Sequence, residues 1–263
     1  MKTISNFTRR LSLAISVAAC AVIMVLPVSA FALSSRTAAA TTPTKTSPFC
    51  SELPTKVANL TGQVTGVVSK VTAAWAQQDQ KMAAEFQKVD QNVSTDRGQA
   101  DSKRQTEFTK LQAKATTDPQ KQAVQTYQTS VQAAVSTRRT AFDAARSTYR
   151  TNVQSVVTTR RSTIDGQMQT FKTAVNGAVS TAEASCAATP SEGPAIRTKL
   201  QASLKTARES FVSDRKNDDK VASQQKQYAA TRDAAFKTAS QAFQASTASA
   251  RQTLQQAFGK TTI

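Results

Sequence analysis

Along most of this chain apolar residues return every three or four positions, and almost nowhere at every second one. The first stripe runs Val57, Leu60, Val64, Val67, Val71, Trp75, and then Met82, Phe86, Val89, Val93. It thins from Ser94 to Gln105, around Gly98, and resumes at Phe108 and Leu111. A second stripe runs from Val124 through Tyr127, Val131, Val135, Phe142, Tyr149, Val153, Val157, Ile164, Met168, Phe171 and Val175 to Val179. A third begins at Ile196, Leu200, Leu204 and Phe211, is interrupted by polar residues from Ser213 to Lys220, and continues to Leu254 and Phe258. This period is that of one-sided helices. The predicted fold class is all-α: an elongated antiparallel three-helix bundle or coiled coil of long helices, over about 51–116, 119–187 and 194–259. Each helix has roughly 65 residues, or about 100 Å at 1.5 Å per residue. The thin interval from Ser94 to Gln105 is expected to be a local break or a flexible part of the first helix.

The turns are as readable as the helices. Thr116-Thr117-Asp118-Pro119 separates the first two stripes, and Asp118 is expected to cap a helix whose first position is Pro119. Pro54 is expected in the first turn of the first helix. Ala188 to Pro194, with Pro190, Gly193 and Pro194, separates the second stripe from the third. Turns centred on residue 118 and near 190 fix a register. Residue i of the first helix lies level with 236 − i of the second, and residue j of the second with about 380 − j of the third. Trp75 is then level with Arg161, and Arg161 with Asp219.

The second helix repeats itself. Thr126-Tyr127-Gln128-Thr129-Ser130-Val131 returns 22 residues later as Thr148-Tyr149-Arg150-Thr151-Asn152-Val153, and again as Thr170-Phe171-Lys172-Thr173-Ala174-Val175. Ser136 to Asp143 likewise matches Thr158 to Asp165, and Thr231 to Phe236 is a weaker echo. Twenty-two residues are two elevens, about 3.67 per turn, which favours nearly straight packing over a left-handed heptad coil.

Residues 1–32 read as a signal peptide. Lys2, Arg9 and Arg10 are its basic start, Leu11 to Leu26 its apolar run, and Ala30-Phe31-Ala32 its small-x-small cleavage site. The apolar run is long enough to serve instead as an uncleaved anchor. Val17-Ala18-Ala19-Cys20 superficially fits a lipidation site, and Thr8-Arg9-Arg10 is a weak twin-arginine match. Each variant exports the rest. Residues 33–49, rich in Ser, Thr, Ala and Pro, are expected to be a flexible tether, leaving 50–263 as the helical body. Removal of Cys20 leaves Cys50 and Cys186, an even number in an oxidising compartment. Residue 118 lies midway between them, so a hairpin would bring them together as a disulfide. Two buried thiols, or a bridge between chains, are the alternatives.

Composition narrows the chemistry. The formal charge is +17 and there is no histidine, so the commonest general base and metal ligand are missing. No catalytic residue, cofactor site or metal site is expected. The charge points to an anionic surface or polymer as partner, with a protein partner as the alternative. Arg138, Arg139, Arg146, Arg150, Arg160, Arg161 and Lys172 form a candidate polyanion-binding strip along the second helix. Trp75, Arg160, Arg161, Asp218 and Asp219 form a candidate polar layer, with an Arg–Asp pair and a cation–π contact. Solvent exposure of these long side chains is the alternative to both. The narrow Ala- and Val-rich apolar face does not suit interfacial lipid binding, so stable membrane insertion after signal cleavage is not expected.

Three segments carry a resemblance: Phe49-Cys50-Ser51, the run from Ala113 to Val124 (AKATTDPQKQAV), and the run from Leu200 to Phe211 (LQASLKTARESF). Together they resemble secreted coiled-coil proteins of ultra-small candidate-phylum, Patescibacteria-like bacteria, a group to which no activity is assigned. The resemblance implies an exported helical protein and no substrate. The expected function is that of an exported, non-catalytic spacer or binding module of the cell envelope or extracellular space. A basic polyanion- or envelope-surface-binding protein and a holdase-like periplasmic chaperone are the alternatives.

Overall fold

The structure, a computed structural model, describes residues 46–216 and 221–259. The expected signal peptide, most of the expected tether, and Asp218 and Asp219 lie outside the described residues. Within them the chain is all-α, in four helices: α1 (Pro48–Lys114), α2 (Asp118–Ala188), α3 (Gly193–Lys216) and α4 (Val221–Ala257). The segment expected as one third helix is thus described as two helices, with 217–220 outside the described residues.

The helix ends follow from local hydrogen bonding. The Cys50 amide donates to Ser47 Oγ at 3.3 Å, so Ser47 caps α1 and Pro48 takes its first position. The first helix therefore starts three residues before the expected Ser51. Phe49, assigned to the tether from sequence, is buried instead. Pro54 lies inside α1 and not in its first turn, so its ring nitrogen cannot donate to the carbonyl four residues back. At the next turn the cap is Thr117 and not Asp118. The Gln120 amide donates to Thr117 Oγ1 at 3.4 Å, and Gln120 Oε1 accepts from the Thr116 and Thr117 amides at 3.0 and 3.3 Å. This reciprocal capping box places Asp118 in the first turn of α2. The interval from Ser94 to Gln105 is unbroken helix.

The described residues divide into two compact units, 46–79 with 156–216 and 221–222, and 80–155 with 223–259. In the first, Phe49 and Leu53 of α1 meet Val175, Val179 and Ala182 of α2 and Ile196, Leu200, Leu204 and Ala207 of α3. The Cys50–Cys186 disulfide lies against this core, with Cα atoms 5.5 Å apart and a sequence separation of 136. Above it the Ser47 amide donates to the Pro190 carbonyl at 2.8 Å. Gly193 opens α3 there because a Cβ would overlap the Ser47 hydroxyl and press on Phe49.

Among the described residues the buried apolar side chains of the second unit fall into separate clusters. Met82, Tyr149 and Val153 form one cluster, Phe108, Val131 and Val135 another, and Ala115, Val124 and Leu254 a third. Between the first two, Phe142 of α2 stacks on Phe236 of α4 with centroids 4.4 Å apart. This stack lies within two residues of the register read from sequence.

Replacing Cys50 and Cys186 by Ser is expected to lower stability by up to ~5 kcal/mol, the chain-entropy value for so long a loop. Denaturant titration with and without reductant measures it. Gly193→Ala is expected to lower the melting temperature of the oxidised protein by several degrees; an unchanged value would show that Ser47 moves aside freely.

Candidate functional site

Arginines of α2 reach across to α1 in the same way at three places. Arg161 Nη1 and Nη2 each donate to Asp79 at 2.7 Å, and Nη2 also donates to the Trp75 carbonyl at 3.2 Å. Arg150 donates to Asp90 at 2.9 and 2.6 Å and to the Phe86 carbonyl at 3.2 Å. Arg139 donates to Asp101 at 2.7 Å and to the Arg97 carbonyl at 3.5 Å. Gln112 donates to Gln128 at 3.4 Å. The numbers in each of the pairs 79 and 161, 90 and 150, 101 and 139, and 112 and 128 total 240. Both helices therefore step by eleven, three turns at about 3.67 residues each, so each side chain returns to the same azimuth. The accepting carbonyls of Trp75, Phe86 and Arg97 lie one turn before the carboxylates, at the level the 236 − i register predicts. The guanidiniums also cover rings: Arg161 lies 5.8 Å from the Trp75 centroid and Arg150 4.9 Å from that of Phe86.

In the second unit the rung at Arg139 widens into a cluster. Arg97 donates to both oxygens of Asp143, at 3.0 and 2.8 Å, and Arg146 shares that carboxylate. Arg104 shares Asp101 with Arg139. Arg138 lies 4.0 Å over the Phe243 ring and, among the described residues, pairs with no carboxylate. Five guanidiniums thus face two carboxylates, a formal excess of three positive charges. Burial, then the neighbouring guanidiniums Arg139 and Arg138, hold Arg104 below the usual arginine range. Burial, then Arg139 and Arg97, do the same to Arg138.

A further cation is fully buried. The Arg232 side chain is 4% exposed, donates through Nε and Nη2 to Asp233 at 2.9 and 2.7 Å, and lies 4.7 Å from the Tyr149 ring and 5.8 Å from that of Phe236. Burial raises the Tyr149 hydroxyl above its ordinary pKa, and Arg232 opposes that shift.

The expected polyanion strip takes a different form. Arg139, Arg146, Arg150 and Arg161 are occupied by carboxylates of the chain itself, and Arg138 is stacked on Phe243. Arg160 is partly buried and Lys172 is exposed. Arg138, Arg139, Arg146 and Arg150 belong to the second unit, and Arg160, Arg161 and Lys172 to the first. Of the expected polar layer, Trp75 and Arg161 do meet, Arg161 also bonds Asp79 of α1, and Asp218 and Asp219 lie outside the described residues. Sequence reading missed Asp79, Asp90, Asp101, Asp143, Arg97, Arg104 and Arg232. The eleven-residue spacing of Asp79, Asp90 and Asp101 was the available signal for three of them. Among the described residues no three acidic or thiol side chains gather as a metal ion would need. Compared with protein-family models, curated proteins and solved structures, the chain matches none.

Hydrogen bonds from Arg150 hold the Asp90 carboxyl below its ordinary pKa, and those from Arg97 do so for Asp143. A carboxyl depressed in the folded state stabilises it above the unfolded pKa, and that contribution is lost as pH falls through the folded value. The melting temperature is therefore expected to fall as pH drops below about 4, and to fall less in the double variant Asp90→Asn/Asp143→Asn, which starts lower at neutral pH. Arg232→Met is expected to melt within a few degrees of the parent or above it, because an apolar chain of similar length avoids desolvating a charge. Arg232→Ala should melt lower, because it leaves a void.

Proposed function

We propose that this chain is an exported, non-catalytic helical protein that acts as a spacer or binding module in the cell envelope or outside it. In this reading the helices assemble as an elongated antiparallel three-helix bundle. The observation that carries it is the repeat of one junction, arginine to aspartate and carbonyl, every eleven residues along α1 and α2. A repeated junction serves length and alignment, and it engages in internal bonds the polar groups that catalysis would need to aim at a substrate. Export is supported by the Cys50–Cys186 disulfide, which persists in oxidising compartments. No helix among the described residues is long and apolar enough to cross a membrane. The resemblance to exported coiled-coil proteins of candidate-phylum bacteria fits the same reading.

Polyanion binding is a second reading, and the excess of guanidinium over carboxylate around Arg104 and Arg138 favours it. A holdase is less well supported, because Val68 is the exposed large hydrophobic residue among those described, and client capture needs apolar surface.

Small-angle scattering of the purified chain tests the spacer reading. The expected result is a long particle with a main axis near 100 Å, from about 65 helical residues per arm, that loosens on reduction. A compact, near-spherical particle would overturn it.

A further inference from the structure

Three features of the second unit concern one group of neighbouring arginines. The first is the count of five guanidiniums, Arg97, Arg104, Arg138, Arg139 and Arg146, against the carboxylates of Asp101 and Asp143. The second is the direction of their bonds. Arg104, Arg139 and Arg146 donate to those carboxylates through Nη2 alone, leaving Nε and Nη1 of each uncommitted. The Arg138 guanidinium carbon lies 4.0 Å from the Phe243 ring centroid, and among the described residues Arg138 bonds to no carboxylate. The third is access. The buried side-chain atoms without a hydrogen-bond partner include none from these five arginines, so none of their remaining N–H groups is sealed from solvent. The side chains of Arg97, Arg104, Arg139 and Arg146 are nonetheless only 15–30% exposed, so the donors are held in place and partly desolvated.

A cluster that serves only to join α1 and α2 needs one carboxylate per guanidinium, as at Arg150–Asp90 and Arg161–Asp79. Here each carboxylate is shared by two arginines and a fifth has none. Shared carboxylates leave like charges close together, which costs stability in the empty protein. An added anion with several oxygens removes that cost and accepts the spare donors. Guanidinium forks match phosphate oxygens in pairs, and charge-assisted bonds of this kind are about twice as strong as neutral ones.

We propose that this five-arginine cluster is a binding site for a multivalent phosphate-type oxyanion, either free or carried on a phosphate chain. The site is local to the second unit and does not depend on the length of the whole particle, so it stands or falls separately from the spacer reading. It is also narrower than a strip along α2: Arg160, Arg161 and Lys172 take no part.

Calorimetric titration of the purified chain with inorganic pyrophosphate at low chloride tests it, and long-chain polyphosphate in a parallel arm distinguishes a discrete anion from a polymer. Pyrophosphate is expected to bind one per chain. Arg104→Gln/Arg138→Gln is expected to weaken binding at least tenfold. Lys121→Gln/Arg251→Gln, which removes the same charge elsewhere, should change it less than twofold. Asp101→Asn is expected to tighten binding while lowering the melting temperature, a split that a purely structural role does not produce. Absence of binding in both arms would overturn the site, as would equal losses in the two double variants. Circular dichroism and the melting temperature of each variant separate loss of the site from loss of the fold. If Arg104→Gln/Arg138→Gln unfolds, the Asp101→Asn result decides alone.

Discussion

The interaction on which the α1–α2 packing depends is a guanidinium that bonds two things at once on the facing helix: a carboxylate, and the backbone carbonyl one turn before it. A helix carbonyl already accepts from the amide four residues on, and its second lone pair points outward. An arginine that reaches it must sit at a defined height and azimuth, so the bond reads register as well as charge. An exposed ion pair alone contributes little, typically well under 1 kcal/mol, because water and salt screen it. Recurrence at eleven-residue steps changes its role. A slip of one residue between α1 and α2 of the second unit would disrupt its rungs together, so they discriminate between registers more than they add stability to one.

Apolar packing and charge divide the work differently in the two units. In the first, three helical segments bury a continuous core beside a covalent link. In the second, small clusters alternate with arginines, and even a buried position is given to Arg232, clamped between Tyr149 and Phe236. Buried ions recover their desolvation only where every donor is satisfied, so such a core is costlier than an aliphatic one of the same volume. The Phe142–Phe236 stack and the Arg138–Phe243 contact let aromatic faces take charge on one side and apolar neighbours on the other. The thin stripe from Ser94 to Gln105 belongs to this arrangement. Its helix is held by Arg97, Asp101 and Arg104 where aliphatic residues are missing, which is why it does not break.

Much of this was legible in residue order, and the limits have physical causes. The pairing of Cys50 with Cys186 and the meeting of Trp75 with Arg161 both follow from counting outward from one turn. Helix rise is constant, so symmetry about Thr116 to Pro119 carries over long distances. That Asp79 would bond Arg161 did not follow, because Asp79 stands one turn beyond the level the register gives Arg161. Finding it requires the azimuth and reach of each side chain, and a one-dimensional register supplies only height. The start of α1 was misplaced for a related reason. Ser47, Pro48 and Phe49 look like tether by composition, yet the Pro190 carbonyl and the glycine at 193 give them a place to dock.

By itself, then, the amino-acid order determined helix period, turn positions and the level at which residues meet, the two cysteines included, because these depend on local geometry repeated at constant rise. Only the tertiary structure decided which charges are spent on each other and which are left over. Arg139, Arg150 and Arg161 look like a free basic strip in sequence, and folding consumes them. Arg104 is unremarked there, and folding sets it beside Arg138 in a group with more guanidiniums than carboxylates. Whether a charge is available is set by what else lies within a few ångströms of it, and α1 and α4 bring those neighbours from tens of residues away.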